Sequence, residues 1–416
     1  MSAIPPAAPS PWWTSDNGET RVRLYHGHVL DVLRRLPAES VHTVITSPPY
    51  YHQRDFGLPP QLWGGNPSCA HAWDRPRVGR RGTTCTRCGG WLGQLGLEPT
   101  ADAYLAHMVE IFREVRRVLH RAGTLWLNLA DSYTDKQLLG IPWRLALALQ
   151  SDGWVLRVEI VWAKALSFCP TYSGSALPED ADDRPVRGHE TVFLLAREPR
   201  YFYDRDAVRE PHNDLANGDR FQGRAGLSHA EYDAQKWSTR SDGIARPPIT
   251  MRTREYHPFG RPLRSVWAVN PQPFTDGQHL ATFAEALVVP MVLAGTSERG
   301  CCPRCGAPWR RSPEGWQAGC RHEHAPVPCT ALDPFAGAGT ALLVSQRLGR
   351  NAIGIELSPT YLELARKRIA AEHGQMRLFG TPGGVRLAGT APAGVGCATP
   401  GGAGMVPGQL RLLVDD

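Results

Sequence analysis

Lysine is nearly absent: Lys136, Lys164, Lys236 and Lys367 are the only four among 46 basic side chains in 416 residues, so the positive charge is arginine. That excludes a diffuse lysine-rich face and leaves a rigid donor fork suited to phosphates and base edges. A genome rich in G and C, whose codons favour Arg, Ala, Gly and Pro, gives the same bias. The net charge of +6 therefore does not by itself choose between a nucleic-acid partner and codon usage. Long apolar runs are also missing. The longest, Ala286 to Gly295, falls far short of the roughly 18 residues that a membrane span requires. The stretch from Met1 to Pro9 has no basic n-region and no apolar h-region, so the expectation is a cytoplasmic protein without a signal peptide and without a membrane partner. In a reducing compartment the ten cysteines are not expected to form disulfides, and their clustering suggests metal.

What is present is an alternation of apolar runs and helical patterns. Strands are predicted at Arg21 to Tyr25, Val41 to Ser47, Thr124 to Leu129, Val155 to Trp162, Thr191 to Leu195, Ala331 to Asp333 and Ala352 to Leu357. Helices are predicted at Val29 to Leu36, at 101–119 with Gly123 as the stop, from Pro142, at about 278–294, up to Leu348, and from Pro359 to about Ala371. This is the pattern of an open α/β sheet. Residues 1–20 and 373–416 lack periodicity and are expected to be disordered. The pattern also dissolves over about 205–265, which reads as a variable surface module or long loops.

Two short stretches carry chemistry. Thr46-Ser-Pro-Pro-Tyr50 closes a predicted strand with two prolines, a rigid and exposed elbow. Ala331-Leu-Asp-Pro-Phe-Ala-Gly-Ala-Gly-Thr340 reads as strand, glycine turn and helix, and Gly337 and Gly339 allow a ligand to approach the backbone closely. Glu356 ends the next strand, where a carboxylate accepts bonds from a ribose diol. The turn lacks G-x-G-x-x-G, and Asp333 would repel a pyrophosphate but attract an ammonium. Ribose plus an α-amino group describes S-adenosylmethionine more closely than NAD.

The cysteines form two sets, Cys69-x-His71 with Cys85-x-x-Cys88 and Cys302-x-x-Cys305 with Cys320-x-His322. Each offers three thiolates and an imidazole, the composition of a closed structural zinc site. His324, Cys301 or Cys329 can replace an assigned ligand. The first set follows the elbow directly, on the ligand side of an α/β sheet. It encloses Arg75, Arg77, Arg80, Arg81 and Arg87, a density suited to phosphates or to a solvated basic loop. The second set precedes the glycine-turn strand and is expected to brace the opposite end of the sheet.

Together these stretches resemble the amino-group DNA methyltransferases, with Asp333 to Thr340 similar to their cofactor motif and Thr46 to Tyr50 to their catalytic motif. The catalytic motif comes first in the chain, the permuted order of the beta class. The resemblance spans about 21–372 and extends to Thr124 to Tyr133, to Arg184-Pro185 with His189-Glu190, and to His279 to Leu293. It implies a Rossmann-like methyltransferase fold, α/β, with a circularly permuted seven-stranded mixed sheet and two zinc-ribbon-like insertions at about 63–98 and 299–327. A catalytic half at 21–204, a DNA target-recognition region at 205–275 and a cofactor half at 276–372 follow from it.

By the same resemblance, Ser47 and the Pro48 carbonyl accept from an exocyclic amine, Pro48 and Pro49 aim that carbonyl, and Tyr50 stacks on a flipped base. Asp333, Phe335, Gly337, Gly339, Thr340 and Glu356 would hold the cofactor. His28 stands where the family usually has Asp, so it or Asp31 would reach the cofactor adenine. The implied partners are double-stranded DNA and a cognate restriction endonuclease. Serine at the head of the elbow favours cytosine N4 in this family, with adenine N6 the alternative.

Overall fold

Apolar runs without polar alternation call for strands covered on both faces. A computed structural model, which describes residues 9–74, 82–169, 171–175, 181–210, 260–271 and 284–379, arranges them so. The sheet strands in chain order are β1 (Trp13–Asp16), β2 (Arg21–His26), β3 (Val41–Thr46), β4 (Leu119–Leu129), β5 (Val155–Ala163), β6 (His189–Ala196), β7 (Val266–Ala268), β8 (Thr330–Asp333) and β9 (Asn351–Glu356). The helices are α1 (Val29–Leu33), α2 (Ala101–Val118), α3 (Ile141–Ser151), α4 (Glu285–Gly295), α5 (Thr340–Arg347) and α6 (Pro359–Phe379). In β3, Val44 packs with Leu33, Met108 and Leu145 under α1, α2 and α3, while its neighbour Ile45 packs with Val288, Leu342 and Leu362 under α4, α5 and α6. The same alternation separates Leu125 and Leu127 from Trp126 in β4.

The nine strands lie in the order β1-β2-β9-β8-β3-β4-β6-β5-β7. The five from β2 to β4 are mutually parallel, and β6 runs antiparallel between β4 and β5. The expected seven strands are the inner ones, and β1 and β7 extend the sheet at its two edges. Thus part of the segment 1–20, expected to be disordered, is ordered. It lacks apolar alternation because β1 is held by its ladder to β2, from Trp13↔Leu24 to Asp16↔Arg21, and by an Arg21–Asp16 ion pair at 2.7 Å. At the other end α6 continues through the start of the expected tail to Phe379.

Gly123 does not stop α2. The helix starts at the Thr100 cap, whose side chain accepts from the Ala103 N–H, and ends at Val118; Leu119 passes straight into β4. Gly123 lies inside that strand at an irregularity of the β3–β4 ladder, where a Cβ would meet the Leu119 side chain at 2.5 Å and the His42 carbonyl at 2.8 Å. Glycine is there for close approach, the usual meaning of an isolated strand glycine.

Two small insertions sit at opposite ends of the sheet. Residues 61–63, 91–93 and 82–84 form a three-stranded ribbon that follows the end of β3. A hairpin of residues 310–312 and 315–317 belongs to the second, which meets the starts of β3 and β4 through His42 Nε2 on the Gly306 carbonyl and His120 Nε2 on the Cys305 carbonyl. Among the described residues no helix is long and apolar enough to cross a membrane.

Candidate active site

At the carboxyl end of β3 the elbow is fixed by side chains from other strands. The Ser47 hydroxyl donates to the Tyr50 hydroxyl at 2.7 Å, which donates to Glu190 Oε2 at 2.7 Å and accepts from Asn128 Nδ2 at 2.6 Å. Asn128 Nδ2 also donates to the same carboxylate oxygen, and Lys164 pairs with the other. Burial and then the Glu190 charge push the Tyr50 pKa well above its ordinary value, so the phenol keeps its proton. The Pro49 carbonyl accepts from Tyr104 at 2.9 Å. The Pro48 carbonyl accepts from no donor among the described residues, and Pro48 lines the cavity beneath the elbow. Gly96, at φ +91°, supports the elbow from below: a Cβ there would lie 3.0 Å from the Tyr50 carbonyl.

The neighbouring strand β8 ends in Asp333, which is 3% exposed. One of its oxygens accepts both from Thr46 Oγ1, at 2.7 Å, and from the Phe335 N–H, at 3.0 Å. Burial raises its pKa to about 7, against those two bonds and with a further push from Glu356. Glu356 ends β9 and accepts from the Gly337 N–H at 2.8 Å and the Ser358 N–H at 2.7 Å, with the Leu357 N–H also acting on its charge. Burial raises its pKa too.

A cavity of about 310 Å³ joins the two halves, with Ser47, Pro48 and Tyr50 on one wall and Asp333, Gly337 and Glu356 on the other. His28, Pro49, Phe335 and Thr340 line it as well, whereas Gly339 and Asp31 do not. Gly339 instead lets α6 approach α5, since a Cβ there would sit 2.9 Å from Ala365 Cβ. The Thr340 hydroxyl is engaged by Arg368 at 3.0 Å. The His28 ring leans on Trp63 with centroids 4.5 Å apart; its buried Nε2 has no partner among the described residues, and burial lowers its pKa so that it is neutral.

Sequence reasoning did not single out Asn128, Lys164 or Glu190 as site residues. Asn128 and Lys164 are polar side chains between apolar neighbours at strand ends, Lys164 is one of only four lysines, and Glu190 heads an otherwise apolar run from Val192 to Ala196 together with His189 and Thr191. That is the signal by which they can be found. The first insertion also contributes Trp63 and Gln94 to the cavity wall, and the loop that leads into it contributes Phe56. Arg75, Arg77, Arg80 and Arg81 lie outside the described residues, as does most of 205–275.

The cysteine sets come together as the spacing predicts. Ligand atoms of Cys69, His71, Cys85 and Cys88 lie within 4.8 Å of one another, as do those of Cys302, Cys305, Cys320 and His322. In a tetrahedral site with bonds of about 2.3 Å, ligand atoms are separated by about 3.8 Å. Cys69–Cys85 at 4.0 Å, Cys88–His71 at 3.4 Å and Cys302–His322 at 3.6 Å agree with that spacing. Cys301 and Cys329 belong to neither set. They lie beside His42, whose Nδ1 accepts from the Thr330 N–H while Nε2 faces the Gly306 carbonyl, so no imidazole lone pair is left for a metal.

With the geometry in place, similarity to known proteins can be weighed against it. The family model described as DNA methylase (N6_N4_Mtase) matches residues 41–367, from the start of β3 into α6. Type II methyltransferase M.Cfr9I of Citrobacter freundii is 31% identical over 385 residues, covering 86% of this chain and 89% of its own. Type II methyltransferase M.XycI of Xanthomonas campestris pv. cyanopsidis is 32% identical over 379 residues, covering 84% and 88%. Type II methyltransferase M.SmaI of Serratia marcescens is 29% identical over 372 residues, covering 82% and 89%. The match takes in both strand ends that build the cavity and the segment between them, and on that ground the chain belongs to the N6/N4 DNA methylase family.

Proposed function

We propose that this protein transfers the methyl group of S-adenosylmethionine to the exocyclic N4 of cytosine in double-stranded DNA. The observation that carries this reading is the shared cavity. The elbow and the glycine turn are nearly 290 residues apart in the chain, yet Thr46 bonds Asp333 directly at 2.7 Å.

An exocyclic amine is a poor nucleophile because its lone pair is delocalised into the ring, and its protons are held inside a base pair. The base must therefore be turned out of the stack and its nitrogen allowed to rehybridise. Ser47 Oγ and the unengaged Pro48 carbonyl accept from the amine, and the two prolines hold that carbonyl outward. Tyr50 stacks on the base, and the Glu190–Asn128 pair on its hydroxyl fixes the ring plane. Glu190 is committed to Lys164, Asn128 and Tyr50, so it orients the phenol and does not remove a proton. When bound, S-adenosylmethionine supplies an electrophilic methyl group on a sulfonium. Asp333 would hold its ammonium and Glu356 its ribose diol, Gly337, Phe335 and His28 would line its site, and Thr340 and Gly339 would shape the helix start. No covalent intermediate on the protein is needed; the nitrogen gives up one proton as it takes the methyl group in exchange for the thioether leaving group, and with Glu190 committed that proton is released to water.

Zinc in the two Cys₃His sets would fix the ribbon that walls the cavity and the brace at the far end of the sheet. Arg75, Arg77, Arg80 and Arg81 would contact phosphates, and residues 205–275 would read the target. The designation of the relatives as type II methyltransferases supports a companion restriction endonuclease. Serine at the head of the elbow favours cytosine over adenine by resemblance to the family. Purified protein incubated with duplex DNA and S-adenosylmethionine labelled in its methyl group tests the reading. Label should move to DNA, Ser47→Ala and Tyr50→Ala should each lower transfer by about 100-fold or more, and both variants should still bind the cofactor. Loss of cofactor binding together with transfer would remove the division of roles.

A further inference from the structure

Behind β5 the chain makes a short finger that the catalytic scheme does not use. Lys164 and Ala165 both donate from their backbone N–H groups to the Gly188 carbonyl, at 2.8 and 3.0 Å. The returning strand pairs Ala165 with Gly174, and Leu166 N–H donates to the Ser173 carbonyl at 3.2 Å. Ser175 N–H reaches the Lys164 carbonyl at 2.9 Å. The base is tightly built: a Cβ at Gly174 would lie 2.0 Å from the Lys164 carbonyl oxygen. At the tip stands Phe168, 99% exposed and with φ +58°. A bulky aromatic in the left-handed region is an outlier, and here that geometry turns the ring away from the protein.

We propose that Phe168 is a wedge that enters the duplex and fills the gap left by the extruded base. The proposal rests on the base-flipping reading above. The finger is rooted at Lys164, which lines the target cavity, so the tip lies within four residues along the chain of the place where an extruded nucleotide must arrive. The chain from Lys164 to the turn at Ser167 and Phe168 spans at most about 13 Å, against a depth of roughly 8 Å for either groove. The vacated slot between two base pairs is flat and apolar on both faces, which suits an aromatic ring, and apolar side chains inserted between base steps are a known means of unstacking them. An aromatic ring left wholly in water on a firmly bonded hairpin has no folding role. It is preorganised for a surface that comes from outside.

The test uses the full-length protein and a duplex carrying the sequence that the wild type methylates. Phe168→Ala is expected to leave thermal stability and cofactor affinity unchanged and to lower single-turnover methylation by about tenfold or more, while Phe168→Leu keeps most of the rate. On the same duplex with an abasic site opposite the target, where no pairing has to be broken, Phe168→Ala should match the wild type. Equal rates of Phe168→Ala and wild type on paired DNA would overturn the wedge alone, and so would an equal loss on paired and abasic duplexes, which indicates an ordinary contact. A wild type that methylates no DNA overturns the transfer reading and the wedge with it.

Discussion

Asp333 keeps both of its internal hydrogen bonds on a single oxygen, so Asp333→Asn can retain the contacts from Thr46 and Phe335 while removing the charge. Burial raises its folded pKa to about 7 from the ordinary 3.8, so the folded protein binds the proton more tightly than the unfolded chain does. The stability tied to this proton is fully present below the unfolded value and is lost as pH rises through about 7. At pH 8 the ligand-free protein therefore carries an ionised, buried carboxylate. We expect Asp333→Asn to raise the ligand-free melting temperature at pH 8 by roughly 2–4 °C and to leave it nearly unchanged at pH 4. Cofactor affinity should fall by about 100-fold, and wild-type affinity should weaken below about pH 7 as the carboxyl takes its proton. Thermal melts and calorimetric titrations across that range check both. Asp333 and Glu356 were legible in the sequence because each ends a strand beside a recognisable glycine turn. Asn128, Lys164 and Glu190 were not, since they come from the ends of three strands, and only the antiparallel placement of β6 between β4 and β5 brings Asn128 and Glu190 to one hydroxyl and Lys164 to the Glu190 carboxylate.

At the scale of elements, the two glycines of the turn that opens α5 have separable uses. Gly337, at φ +49°, has no atom nearer than 4.0 Å to the position of a Cβ and faces the cavity; Gly339, at φ +76°, has Ala365 Cβ within 2.9 Å. Gly337→Ala should cost about 1 kcal/mol of stability from backbone strain and weaken cofactor binding, because the new methyl group enters the cavity. Gly339→Ala adds an α5–α6 clash to the same strain and should cost about 2–4 kcal/mol, with cofactor affinity less affected than the melting temperature. The reverse ranking in melts and titrations would show that the turn is organised differently. Sequence alone could not divide these roles, because the partner of Gly339 lies one strand later, on α6. Gly123 is the mirror case. It reads as a helix stop, but what requires it is the crowding of Leu119 and the His42 carbonyl across the β3–β4 ladder.

The two cysteine insertions differ by position in the same way. The first forms a cavity wall through Trp63 and Gln94, whereas the second meets the far ends of β3 and β4 and, through Arg311, the carboxylate of Asp204 at 2.9 Å, away from the cavity. Cys88→Ser should therefore lower cofactor affinity as well as stability, and Cys305→Ser stability alone. Each should reduce bound zinc by about one ion per chain by elemental analysis. Unchanged zinc content in both would remove the metal.

For the whole molecule, the inner strands and their covering helices were readable from apolar periodicity because those strands are buried on both faces. The edge strands were not. β1 is polar and held by backbone pairing, and β7 has a single buried residue, Trp267, between two exposed ones. Which end of the sheet carries chemistry was also readable, since both motifs lie at carboxyl ends of parallel strands, the usual ligand side of such sheets. The identity of the modified base depends on one serine. Expression of the protein in a bacterium free of DNA methylation, digestion of its DNA to nucleosides and separation by mass tests that claim most directly: N4-methylcytosine is predicted, and N6-methyladenine in its place, or neither nucleoside, would contradict it.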